Sequence, residues 1–124
     1  MYTKDLDACE GFTAGDGSLL RELLNPLKDA VRVNFSLAHA VVRSGQATRP
    51  HRLKSAEVYY IMEGAGEMRV DHEAAAVRCG QAVYIPPGAV QSIRNTGEED
   101  LVFLCIVDPA WRPEDEEMVE TDDS

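Results

Sequence analysis

Clustered basic residues are missing from this 124-residue chain, whose 12 Lys and Arg stand against 22 Asp and Glu for a formal net charge of −10. Phosphate backbones and anionic membranes need grouped Lys and Arg, so the sequence excludes nucleic-acid and lipid surfaces as partners. Much of the negative charge is local, because residues 112–124 hold seven acids and one arginine. The remaining body is only mildly acidic. Long apolar runs are absent too: the longest, residues 101–107, falls far short of the roughly 20 residues that span a bilayer as a helix. The amino end, MYTKDLDACEG, has no basic segment followed by an apolar stretch, which predicts a soluble, unexported protein. Paired cysteines are lacking. Cys9, Cys79 and Cys105 form no CxxC and leave one thiol over however two of them join, so a reducing cytoplasm is the expected location. No internal repeat is visible, and the acidic tail is the only biased segment.

What is there reads as one domain, long enough to bury a core without disulfide or metal staples. Residues 1–17, with Asp5, Asp7, Gly11, Gly15 and Gly17, predict a loosely held arm. In residues 18–27 the leucines Leu19, Leu20, Leu23 and Leu24 fall at helical spacing, with Ser18 as an N-cap and Pro26 as a stop. Residues 31–42, VRVNFSLAHAVV, are rich in β-branched and aromatic side chains and predict a partly buried strand. Short strands are expected over 57–62, 66–70, 74–78, 82–85, 90–94 and 101–107, separated by turn residues such as Glu63-Gly64-Ala65 and Asp71-His72-Glu73. Many short strands at even spacing make an all-β sandwich or barrel. The barrel domain is read as 18–111. Residues 112–124 are read as a self-repelling acidic tail, disordered beyond about Glu114.

Two stretches organise the rest. The first runs Gly45, His51, Leu53, Glu57, Gly64, and its echo runs Gly80, Pro86, Gly88, Gln91, Asn95. Side chains alternate along a strand, so an extended segment over 51–61 would send His51, Leu53 and Glu57 to one face. The turn at Pro86 and Gly88 presents Gln91 just beyond it.

These spacings resemble the two motifs of the cupin superfamily. The first motif of that family is Gly, five residues, His, one, His, three, Glu, six, Gly. The second is Gly, five, Pro, one, Gly, two, His, three, Asn. Every interval is kept here, but Leu53 and Gln91 stand where the family places its second and third metal-binding histidines. The resemblance implies a small single-domain cupin, that is, a double-stranded β-helix or jelly-roll barrel. It also implies a strand in place of the helix over 18–27, and a homodimer paired through sheet faces and exchanged N-terminal strands.

The candidate metal ligands are His51, Glu57 and Gln91. A carboxylate buried in a strand, as period-2 alternation predicts for Glu57, must be ion-paired, protonated or bound to a cation. Gln91 offers only a neutral amide oxygen, which suits hard ions such as Mg, Ca or Mn better than Zn or Fe. One imidazole, one carboxylate and one amide fall short of a 2-His-1-carboxylate triad. Leu53, Tyr59, Phe103 and Cys105 are the expected walls of a ligand pocket. Cys105 lies inside LVFLCIV without a basic neighbour in sequence, so it reads as an inert core thiol. His39 would add a fourth donor only if its strand turned it inward.

The leading functional expectation is a barrel holding a divalent Mn, Fe, Zn or Ni ion through His51 and Glu57, helped by Gln91. It would receive a small organic or sugar-like ligand for isomerase, lyase or dioxygenase chemistry. One alternative is a metal-free small-molecule-binding module. Another is a scaffold or interaction domain that makes contact through Trp111 and the acidic tail.

Overall fold

The structure is a computed structural model, and residues 1–120 are described. Among the described residues, eleven strands follow one another. They are β1 (Phe12–Thr13), β2 (Leu19–Leu24), β3 (Ser36–Val42), β4 (His51–Leu53), β5 (Ala56–Glu63) and β6 (Ala65–Val70). Then come β7 (Glu73–Arg78), β8 (Ala82–Ile85), β9 (Gln91–Asn95), β10 (Leu101–Asp108) and β11 (Glu116–Met118). They form two antiparallel sheets, one in the order β1-β2-β3-β10-β5-β8 and one in the order β11-β4-β9-β6-β7. This is the jelly-roll barrel that the cupin resemblance implies.

Period-2 burial shows which face looks inward. Along β5, Glu57, Tyr59 and Ile61 are buried while Tyr60 is exposed; along β9, Gln91, Ile93 and Asn95 are buried while Arg94 is exposed. Tyr59, Ile61, Ile85, Ile93, Leu101 and Phe103 meet between the sheets in one core. The expected strand over 31–42 begins only at Ser36, and its buried side chains, Ser36, Ala40 and Val42, put His39 on the opposite face. There burial, with Arg21 beside it, holds the His39 imidazole below its ordinary value. His39 therefore adds no donor to the barrel.

The leucines of residues 19–24 form strand β2, not a helix, as the cupin resemblance implies. Pairing decides against helical propensity, because β2 docks in register on β3 with Leu20 opposite Ala40 and Arg21 opposite His39. Gly64 shows why the first motif ends on glycine: it sits at φ +85°, and a Cβ there would lie 2.8 Å from the Asp100 carbonyl oxygen. Asn95, which closes the second motif, pins the following turn. Its Nδ2 donates to the carbonyls of Val42 and Glu99 at 2.9 and 2.7 Å, and its Oδ1 accepts from Gly97 N–H at 2.8 Å.

Two segments differ from the sequence reading. Residues 1–17 are not a free arm: β1 pairs with β2, and Asp16, in the turn joining them, accepts at its carbonyl from Arg49 N–H at 2.7 Å. Residues 112–120 are not a disordered tail. Pro113–Asp115 make a 3₁₀ turn and β11 adds as an edge strand to β4, pairing Glu116 with Leu53 and Met118 with His51. Backbone pairing at an open sheet edge outweighs the self-repulsion that its composition suggests. The part of the expected disorder that falls on residues 121–124 lies outside the described residues.

Candidate functional site

A cavity of about 340 Å³ opens at one end of the barrel. His51 and Leu53 reach it from β4, Glu57 and Tyr59 from β5, and Phe103 and Cys105 from β10. All four expected pocket residues, Leu53, Tyr59, Phe103 and Cys105, line it. The Tyr59 and Phe103 rings stack tilted at 36° with centroids 4.5 Å apart. Burial pushes the Cys105 thiol up, so it stays protonated and contributes apolar wall.

His51 and Glu57 reach the cavity by a route other than a single extended strand. The chain bends at Lys54 and Ser55, leaving β4 in one sheet and β5 in the other. Ser55 Oγ–H donates to the Pro109 carbonyl at 2.7 Å, and Lys54 N–H donates to the Asp115 carbonyl at 3.1 Å, which hold this corner. The imidazole and the carboxyl thus come from opposite sheets, and β9 places Gln91 directly across from His51 in the ladder.

Glu57 is 5 % exposed, and its Oε1 has no hydrogen-bond partner. Burial pushes its carboxyl up to about 8; the Gln91 amide opposes that shift, and the charges of Asp16 and Glu116 add to it. Near neutral pH the group is therefore mostly a carboxylic acid. Gln91 does not line the cavity. Its Oε1 accepts from the Tyr59 hydroxyl at 3.0 Å. His51 Nδ1 stands 2.7 Å from the Arg49 carbonyl oxygen, which fixes a proton there and turns Nε2 toward Asp16 Oδ2 at 3.6 Å.

Asp16 and Glu116 are site residues that the sequence reading missed, and Trp111, expected only as an interaction contact, is a third. Asp16 is buried, with Oδ1 accepting from both Ser18 N–H at 2.9 Å and Ser18 Oγ–H at 2.7 Å. Trp111 also lines the cavity, and its indole N–H donates to Glu116 Oε2 at 2.7 Å. A weak signal existed for Asp16: Asp-Gly-Ser is a turn sequence, and a turn between two strands can fold over a barrel end. Nothing in the composition around Glu116 marks it.

The side chains do not fit the metal expected at His51, Glu57 and Gln91. Leu53 has no donor atom, and the Gln91 oxygen is taken by Tyr59. Among the described residues no three His, Cys, Asp or Glu side chains converge closely enough to hold an ion. The physical reason is the loss of two imidazoles: one imidazole and one acid cannot fill a coordination shell.

Residues 38–107 match the family model described as a cupin domain. Together with the barrel and its two motifs, this makes the chain a member of the cupin family. An uncharacterized protein of Methanocaldococcus jannaschii is 39 % identical over 117 residues, covering 94 % of this chain and 93 % of its own. The protein named polyketide synthase CurC of Streptomyces cyaneus is 30 % identical over 94 residues, 75 % of this chain and 60 % of that one. The structure of the polyketide cyclase RemF from Streptomyces resistomycificus superposes with a TM-score of 0.79 at 20 % identity, covering 99 % of this chain and 88 % of that one. At that identity the likeness speaks for the fold alone.

Proposed function

We propose that this cupin binds a small organic molecule in its barrel without a metal ion, through the Glu57 carboxyl. The observation that carries this reading is the buried Glu57 carboxyl, which lines an otherwise largely apolar cavity and whose Oε1 has no partner among the described residues. A buried polar atom left without a partner costs about 1–3 kcal/mol, and a ligand group that draws this carboxyl into a hydrogen bond recovers part of that cost. Tyr59, Phe103 and Leu53 supply apolar contact, while His51 and Asp16 form a second polar pole. One similar protein is named for polyketide chemistry, which supports an organic ligand of mixed character. Binding is the role proposed, in place of metal-assisted isomerase, lyase or dioxygenase turnover.

The test is elemental analysis of protein purified without a His-tag and incubated with Mn, Fe, Zn and Ni. Less than a tenth of an equivalent of any metal is expected. Near-stoichiometric metal that disappears in Glu57→Ala would restore the metal-centred reading. The proposal extends to a cytoplasmic homodimer formed by the barrel domain, with Tyr60, Met62 and Tyr84, exposed on the outer side of the six-stranded sheet, as its contact. Light scattering of the full chain should give twice the monomer mass, and Tyr60→Lys should halve it.

A further inference from the structure

The cavity contains an excess of acid, and its one basic side chain among the described lining residues is His51. Among its described lining residues there is no lysine or arginine, while Asp16, Glu22, Glu57 and Glu116 all contribute. Two of these are balanced. Glu22 is paired with Lys28 at 2.8 Å, and Asp16 has His51, so even a doubly protonated imidazole is matched by one carboxylate. Glu57 and Glu116 have no cationic partner among the described residues. Glu116 accepts one bond from the Trp111 indole, and Glu57 Oε1 accepts none although it is more than nine-tenths buried.

Four aromatic side chains stand among the remaining lining residues. Phe12, Tyr59, Phe103 and Trp111 surround the same space. The faces of such rings attract cations, most of all where water is excluded. Trp111 already shows the behaviour on the outside, where Lys28 Nζ lies 6.0 Å from its ring centroid. Acids without counter-ions beside aromatic faces are complementary to a positively charged organic group and repel a carboxylate.

We infer that the ligand of this barrel is an organic cation, a protonated or quaternary amine on an apolar body, its charge set between Glu57 and Glu116 and its body against Phe103 and Trp111. This rests on the reading of the barrel as a small-molecule site and adds the ligand's charge to it. An amine brings its own positive charge to the carboxyl of Glu57 and so favours its ionised form, which a neutral or anionic ligand does not do. Asp16, Glu116, His51, Tyr59 and Cys105 are the titratable groups facing Glu57 in this step.

The experiment is titration of the full chain at low salt with three probes of one shape and different charge: benzyltrimethylammonium, benzyl alcohol and benzoate. Calorimetry measures affinity. The indole N–H signal of the single tryptophan, followed by NMR, places the binding at Trp111. Benzyltrimethylammonium should bind at least tenfold more tightly than benzyl alcohol, with benzoate weakest and the indole signal moving. In Glu57→Gln and in Glu116→Gln the cation-to-alcohol ratio should fall at least fivefold. The wild-type comparison stands by itself should either variant fold poorly. Equal or tighter binding of the alcohol or of benzoate, with the indole signal moving, would overturn the cation and leave the pocket. Silence from all three probes would overturn both.

Discussion

Asp16 Oδ2 stands 3.6 Å from His51 Nε2, so a turn between the first two strands supplies the partner of the first-motif histidine. The same carboxylate holds Ser18 through two bonds from its N–H and hydroxyl. Asp16→Ala leaves those buried donors and the imidazole Nε2 without a partner, a loss of about 1–3 kcal/mol. Urea unfolding measures it. A variant as stable as the parent would mean that the turn is not held at the barrel mouth.

Glu57 makes stability fall as pH rises. Its folded value of about 8 lies above the ordinary value of 4.5, so the folded state binds the proton more tightly than the unfolded one. The resulting stabilisation is full below pH 4.5 and is lost as pH climbs from there to 8. At about 1.4 kcal/mol per pH unit, on the order of 3 kcal/mol is gone by neutrality. Glu57→Gln, uncharged at every pH, should flatten this slope and melt several degrees above the parent at pH 8. Parallel Tm-versus-pH curves for the two proteins would contradict a buried, protonated carboxyl.

Removal of residues 112–124 takes away β11 and the acceptor of the Trp111 indole. The shortened chain should melt at lower temperature, and its tryptophan emission should move to longer wavelength as the ring becomes wet. An unchanged melt and spectrum would show that the segment adds nothing to the barrel.

The two departures from the family motif can be reversed. With Leu53→His and Gln91→His together, the barrel recovers the imidazoles whose absence leaves it short of donors. Both positions are buried, so the metal-free double variant should be less stable than the parent. Zinc or nickel should bind at about one equivalent and raise its Tm, while the parent shows neither effect. A double variant that takes up no metal would mean that these positions do not converge.

The barrel was legible because its signals are local. Gly-bounded strands, β-branched runs and the intervals around His51 and Gln91 each act over a few residues, and the burial alternation of β5 and β9 follows from them. The site was legible in part. His51 and Glu57 were visible as polar side chains, and the four pocket walls as apolar or aromatic ones, on inward positions. The corner at Lys54 and Ser55 was not, because a change of sheet depends on bonds to Pro109 and Asp115, far along the chain. Asp16 and Glu116 sit in segments whose composition argues for solvent, and only tertiary pairing brings them over the barrel. The helical spacing of the leucines near residue 20 misleads for the same reason: the ladder with β3 overrides propensity.

Asp16 and Glu116, a hundred positions apart, sit at the margins of the barrel, Asp16 in the turn between β1 and β2 and Glu116 at the start of the edge strand β11. Part of what chooses the occupant is therefore also part of what holds the rim of the vessel together. At Glu116, a change of side chain that keeps the backbone pairing with Leu53 gives a way to retune recognition while the sheets stay as they are.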